Sequence, residues 1–120
     1  MILEAIATQL KNANIKAFPL VGEQEAELPF SVFSNIQTPI NTKDGPLGYR
    51  NSLVITAMTA SVSQCVSLSN SIRLAIMAIT GTINSTTIED VMFIGGDPVF
   101  DEQLQIYRCD NEFLIGTKNV

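Results

Sequence analysis

The segment from residue 49 to residue 80 constrains the fold more than any other part of the chain. Up to Ala60 it is rich in apolar and β-branched residues that fall on two alternating faces, which predicts a β-strand. From Ser61 onward the apolar residues recur at spacings of three and four, which predicts a helix that ends at Gly81. Gln64 follows Ser61 at the spacing of a capping box. A strand that continues directly into a long helix predicts a domain in which a helix packs on a sheet.

The predicted helix has an apolar stripe and a back that is less polar than a solvent-facing surface usually is. Val66 and Met77 lie on this back together with Arg73 and a run of small polar residues. Two interpretations stay open: other elements of the same domain cover the back, or a neighbouring subunit covers it. The stripe itself consists of Cys65, Leu68, Ile72, Ala75 and Ile79.

The rest of the chain supplies a second helix and three more strands. The Gly95–Pro98 segment interrupts one strand as a bulge or bend, and Asp44-Gly45 is a turn signal within a long loop. The order α-β-β-α-β-β predicts an α+β fold, with a four-stranded, mainly antiparallel sheet and two helices on one face, in a single domain of residues 1–120. In the first half of the chain we predict a helix at 2–13, an extended piece at 15–21, an acidic loop at 22–28, a strand opened by Pro29 and the long loop Thr38–Gly48. After the long helix we predict a turn-rich connector at 82–87 and a strand at 86–94, which Val99 and Phe100 continue. The last strand ends at Ile115 and is followed by a frayed tail.

Charge and composition argue against several kinds of partner. The formal net charge is −5 and Lys and Arg form no run, so the chain is a poor candidate for holding phosphate backbones or anionic membrane surfaces. We therefore expect no specific nucleic-acid binding and no membrane association. The first residues lack a basic stretch and a cleavage site, so we expect no signal peptide. Only 16% of residues are charged, which is compatible with protein contacts.

The chain contains no histidine, which excludes Ser-His and Cys-His nucleophiles and His-based metal sites within one chain. Cys65 and Cys109 have no metal-type spacing, and we expect free, buried thiols, although a bridge between them stays open. Asp97, Asp101 and Glu102 offer oxygen ligands, but their spacing does not match a calcium loop. We expect no catalytic residue, no cofactor and no metal.

The last predicted strand is unusual because neither of its faces is cleanly apolar or polar. We expect Tyr107, Cys109 and Phe113 to face the helices. The alternate residues would lie on the open face of the sheet, where Arg108 and Asp110 can either pair with each other or reach a partner chain. These alternate residues are Leu104, Ile106, Arg108, Asp110 and Glu112.

Three segments together resemble the tail-completion, or tail-terminator, proteins of long-tailed bacteriophages, a family of minor tail and head-tail joining proteins. The first is the proline-aromatic strand start in LPFSVFSNIQTP, residues 28–39. The second is the strand that continues into a helix at residues 49–79, with Arg73 near the middle of the helix. The third is FDEQLQIYRCDNEFLI, residues 100–115, with an acidic turn, the Tyr107-Arg108 pair and a closing aromatic residue.

The resemblance implies a structural protein and not an enzyme. Members of that family assemble as a ring, commonly a hexamer, on the head-proximal end of the tail tube. The ring stops tube polymerisation and presents a surface to the head. The expected partners are other copies of the chain, the tail tube protein and a head-completion or connector protein. The expected location is the tail of the virion, after assembly in the host cytoplasm.

A ring requires two different contact patches on each subunit. We expect the subunit or partner interface to include charged residues of the long loop and of two strands, namely Lys43, Asp44, Arg50, Arg108, Asp110 and Glu112. Two other classes of function stay open. One is a small α+β domain that dimerises through its sheet and binds a small molecule, and the other is an enzyme that uses carboxylates alone.

Overall fold

The computed structural model describes residues 2–19, 28–42, 45–79, 81–83, 86–103 and 105–118. These ranges form two helices and seven strands. In chain order they are α1 (Ile2–Asn12), β1 (Ala17–Pro19), β2 (Phe30–Thr42), β3 (Gly45–Thr59), α2 (Val62–Met77), β4 (Gly81–Ile83), β5 (Thr86–Gly95), β6 (Pro98–Asp101) and β7 (Ile106–Lys118). The acidic loop predicted at 22–28 lies almost entirely outside the described residues.

All the strands belong to one mixed sheet. Their order is β1-β2-β3-β7-β5-β4, and β6 pairs with β7 beside β5. Only the β1–β2 pair is parallel. The α+β class is thus confirmed, but the four-stranded sheet is wrong in detail. Segments as short as β1 and β4 offer no alternation to read, and β4 lies where we expected a connector.

The core lies between the helices and one face of the sheet. Ile55 on β3 and Phe113 on β7 are fully buried there, together with Ile6 of α1. The predicted stripe of α2 faces this core, and Ile76 and Ser69 join it as further buried residues. The stripe therefore positions α2 across the two central strands, as its periodicity predicts.

The ends of α2 are only partly as predicted. The side-chain hydroxyl of Ser61 accepts a hydrogen bond from the backbone N–H of Gln64, which confirms the N-cap. The helix ends at Met77, and the backbone N–H of Ala78 donates to the carbonyl of Leu74. Gly81 therefore does not end the helix. It is the first residue of β4, at a φ of 74° that favours glycine.

The long loop predicted at Thr38–Gly48 is wrong in the part that the structure describes. β2 and β3 pair antiparallel from Phe30↔Met58 to Thr42↔Gly45, with an irregularity after Ile40, and so form a long hairpin. A proline in β2 is tolerated because no described strand pairs with the outer side of β2 at that position. From Ile36 to Pro39 consecutive residues of β2 are exposed, so both faces of this strand are uncovered there, whereas Asn51, which pairs with Gln37 on β3, is buried.

The end of the chain is also more regular than predicted. β7 continues past Ile115 to Lys118, and Thr117 is buried, so at least this part of the predicted tail is not frayed. The predicted interruption at Gly95–Pro98 is confirmed, because β5 and β6 are separate strands that both pair with β7. A side chain at Gly96 would meet the backbone carbonyl of Asp110, so this close approach requires glycine.

Candidate interaction surface on the open face of the sheet

The two faces of the sheet differ because the helices cover only one of them. On β7 the buried residues Asn111 and Phe113 face the helices. Asp110 and Glu112 alternate with them and are exposed. We call the side without helices the open face. The register extends it across β3, where Thr56 lies opposite Asp110 and Val54 lies opposite Glu112.

One group of polar side chains on the open face is held within the chain. The Arg108 guanidinium lies 3.1 Å from Asp110 and 3.6 Å from Asp101, measured between nitrogen and carboxylate oxygen. The hydroxyl of Thr56 donates a hydrogen bond of 2.6 Å to Asp110. The pairing of Arg108 with Asp110 is confirmed, and Asp101 of β6 is a further partner. Such exposed ion pairs each contribute only about 0–1 kcal/mol to stability, so their main effect is to fix where the charges lie.

A hollow of about 220 Å³ lies farther along the open face. The register places Gly116 of β7 between Arg50 of β3 and Asp90 of β5. Because Gly116 has no side chain, the Asp90 carboxylate occupies the space above it. Glu89, Met92 and Leu114 complete the walls. Arg50 makes no ion pair with either acid in the described structure.

Arg73, the basic residue in the middle of α2, lies on the opposite side of the sheet. Its guanidinium carbon is 4.9 Å from the centre of the Phe93 ring on β5, and it donates a hydrogen bond to Asn70. It borders a shallow groove of about 260 Å³ that also contains Val66 and Asn111. A cation–π contact of this kind contributes about 0.5–1 kcal/mol at an exposed site. Arg73 therefore has a partner within its own chain.

The back of α2 is uncovered in the described structure. Four large apolar side chains are exposed there: Val62, Val66, Leu74 and Met77. The interpretation that the domain's own elements cover this back is therefore not supported by the described residues. Coverage by a neighbouring subunit stays a prediction.

Of the six predicted interface residues, the structure places four on the open face. Arg108, Asp110 and Glu112 lie together on β7, whereas Arg50 lies beside the hollow on β3. Lys43 and Asp44 lie outside the described residues. Glu89 and Asp90 also line the hollow, but they were not among the predicted interface residues. The sequence does contain a signal for these two residues. Ile88 and Val91 both face the core although they are three residues apart, which a regular strand does not allow. This spacing indicates a bulge between them, and the register shows an irregularity there.

The structure also describes the acidic residues and cysteines that were considered as metal ligands or nucleophiles. Among the described residues, no three His, Cys, Asp or Glu side chains converge to hold a metal ion, so Asp97, Asp101 and Glu102 form no such group. Cys65 and Cys109 are free and buried. Burial raises the pKa of the Cys65 thiol, which disfavours the reactive thiolate. No helix in the described ranges has the length and apolar character needed to span a membrane.

Comparisons with known proteins give a relationship by fold and not by sequence. No protein-family model matches the chain, and no curated protein matches it. Among solved structures, the fold is similar to that of a chain in the "Virion of native gene transfer agent (GTA) particle", with a TM-score of 0.79 and 13% sequence identity. The match covers 97% of this chain and 93% of that chain. This α+β fold is therefore shared, over nearly its whole length, with a chain of a virion.

Proposed function

We propose that the chain is a structural virion protein that forms a ring on the head-proximal end of a tail tube. The ring ends polymerisation of the tube and joins the tail to the head, and the protein is not an enzyme. The likeness to a chain of a gene transfer agent virion supports a structural role in a phage-like particle. The resemblance of residues 28–39, 49–79 and 100–115 to tail terminators supports the more specific role.

The open face of the sheet is the observation that carries this proposal. It extends over β3, β7 and β5 and presents the exposed side chains of Asp110, Glu112 and Met92. No described helix or strand covers it. A sheet face that mixes fixed charges with exposed apolar residues is suited to a protein partner, because the charges set the orientation while the apolar area provides the driving force.

The long hairpin supplies a second contact that differs from the first. Its β2 strand is exposed on both faces from Ile36 to Pro39, so this stretch of β2 extends past the layer of helices. Two different patches on one subunit are what a ring with head-to-tail contacts requires. In this proposal Lys43, Asp44 and Arg50 of the hairpin contact one neighbour or partner. Arg108, Asp110 and Glu112 contact another.

The two cavities lined by described residues do not favour the alternative of a small-molecule binding domain. Ligand pockets commonly enclose about 300–1,000 Å³ and are mostly apolar. The hollow beside Gly116 and the groove beside α2 are smaller, at about 220 and 260 Å³, and both are bordered by charged residues.

Native mass spectrometry and negative-stain electron microscopy of the purified chain test the proposal. We expect a closed ring of a single copy number, and a hexamer is the number that the family resemblance implies. Added fragments of the tail tube should carry the ring at one end only. A chain that stays monomeric or dimeric at every concentration and does not attach to tube ends would overturn the proposal. DNA titrated against the ring at low salt is expected not to bind, because the chain is anionic.

A further inference from the structure

In the part of the chain that the structure describes, the sheet has a free edge on each side. β1 pairs with β2 only at residues 31–33, so the outer edge of β2 from residue 34 to residue 42 has no strand partner among the described residues. β4 pairs with β5 only at residues 86–88, so the outer edge from residue 89 to residue 95 is likewise unpaired in the described structure, and β6 continues it. Each free stretch is longer than a typical strand of about 5–6 residues.

The exposed apolar side chains of the sheet lie on these same two edges. Within the described strands, the large apolar residues classed as exposed are Ile36 on β2 and four residues on β5 and β6, namely Met92, Ile94, Val99 and Phe100. Ile36 is 72% exposed and Met92 is 56% exposed. A long edge with exposed apolar side chains is normally protected by charges or covered by another element, because it otherwise promotes aggregation. β2 has no charged residue, and the acids near the other edge leave the apolar side chains of β5 and β6 exposed, so an element that covers either edge would bury apolar surface.

The two edges also differ in charge in a complementary way. Residues 86–102 contain five acids, Glu89, Asp90, Asp97, Asp101 and Glu102, and no Lys or Arg. β2 contains no charged residue, and the hairpin as a whole contains Lys43, Asp44 and Arg50, which is two cations against one anion. Asp101 is paired with Arg108 of its own chain, but Glu89 and Asp90 are exposed. The acidic edge therefore attracts the hairpin of another copy and repels a second acidic edge.

The directions of the strands fit as well. β2 is antiparallel to β3, β3 to β7 and β7 to β5, so β2 and β5 run in opposite directions. When two copies are placed side by side with their sheets in the same orientation, β2 of one meets β5 of the next as an antiparallel neighbour. This contact joins two different surfaces, and it leaves one free β2 edge and one free β5 edge at the ends of every open chain of copies. Such contacts can close into a ring.

We infer that neighbouring copies join edge to edge, with the outer edge of β2 of one copy adding to the β5–β6 edge of the next. The occupant of each edge is thus a second copy of this chain, and the sheet continues across the interface. The inference rests on the proposed ring and specifies which surfaces form it. It leaves the open face, with Arg108 and Asp110, on one side of the continuous sheet, available to tube or head proteins.

Three matched variants test this interface. Ile36→Glu places an anion on the β2 edge, where it would repel the acidic edge of the neighbour, and Met92→Lys places a cation on the β5 edge, where it would repel the hairpin. Ala7→Lys is the control, because Ala7 is exposed on α1 and belongs to neither edge. All three should keep the wild-type circular dichroism spectrum, since each side chain is exposed. Native mass spectrometry should show monomers for the two edge variants and the wild-type ring for the control. Rings that persist in both edge variants would overturn the inference and leave the proposed function intact.

Cross-linking distinguishes this contact from a symmetric one. The double variant Ile36→Cys with Met92→Cys, treated with a flexible bis-maleimide, should give a ladder of covalent oligomers on a denaturing gel. Each single variant should give none, because Cys65 and Cys109 are buried. Cross-linked dimers from Ile36→Cys alone would show a contact between identical edges and overturn the inference. A wild-type chain that forms no oligomer, alone or on tube ends, would instead overturn the proposed function.

Discussion

Thr56 and Asp110 lie directly opposite each other on the two central strands, and the Thr56 hydroxyl donates a 2.6 Å hydrogen bond to the Asp110 carboxylate. The same carboxylate accepts from Arg108, which also pairs with Asp101. A single carboxylate thus connects β3, β7 and, through Arg108, β6. The positions of these charges on the open face are set by the register of the sheet and not by flexible surface side chains.

Arg108→Glu should leave the fold intact and impair assembly. The substitution removes two exposed ion pairs and places a third carboxylate beside Asp101 and Asp110, at a cost of about 1–2 kcal/mol. Circular dichroism and thermal unfolding measure the fold, native mass spectrometry measures whether the ring still forms, and attachment to fragments of the tail tube measures assembly through the open face. Arg108→Lys is the control, because it keeps the charge. A monomer that unfolds on Arg108→Glu would show that this face is internal.

Ile72→Asp should prevent folding. Ile72 is fully buried on the stripe of α2, and a carboxylate there has no partner to offset several kcal/mol of desolvation. Leu74→Asp, two residues along on the exposed back, should change the free energy of unfolding by less than about 1 kcal/mol. Urea unfolding of both variants checks the pair. A soluble, cooperatively folded Ile72→Asp protein would show that the buried face of α2 is wrongly assigned.

Gly96→Ala should destabilise the protein more than Gly116→Ala. A Cβ at Gly96 would meet the backbone carbonyl of Asp110, which belongs to the central strand and cannot easily move. A Cβ at Gly116 would meet the Asp90 carboxylate, which can rotate away. We expect a loss of about 1–3 kcal/mol for Gly96→Ala and a smaller loss for Gly116→Ala, measured by denaturant unfolding. The reverse order would contradict the close approach of the β5–β6 bend to β7.

The two cysteines should not react with a thiol reagent in the native protein, and both should react after unfolding, because both are buried and free.

Burial raises the pKa of Cys65, so the neutral thiol is the form that the fold favours. The unfolded chain ionises at its lower pKa of about 8.5. The contribution of the neutral Cys65 thiol to the free energy of unfolding is therefore fully present below the unfolded pKa, and it is lost as the pH rises through the folded pKa. Unfolding measured from pH 7 to 10 should show this loss, and Cys65→Ala should reduce it.

Periodicity predicted the elements that have a strong pattern of their own. Residue spacing predicted the strand that ends near Ala60, the N-cap at Ser61 and the buried stripe of α2. This is possible because a single helix or strand has one periodicity of apolar residues, and that periodicity marks its buried face. The same holds for the last strand, where the exposure of Asp110 and Glu112 and the burial of Cys109 and Phe113 confirm the predicted faces within β7. Leu104, which was predicted on the open face, lies outside the described residues.

The tertiary structure decided everything that depends on pairing between distant segments. Pro39 and Asp44-Gly45 read locally as a loop, yet the β2–β3 ladder continues past Pro39, because a strand edge without a partner tolerates a residue that cannot donate a hydrogen bond. Arg50 and Asp90 lie on either side of Gly116 because of two strand pairings that no local pattern contains. By itself, then, the sequence determined which residues are buried within each element. Only the folded sheet decided which edges and which face remain open, because these depend on which strands become neighbours.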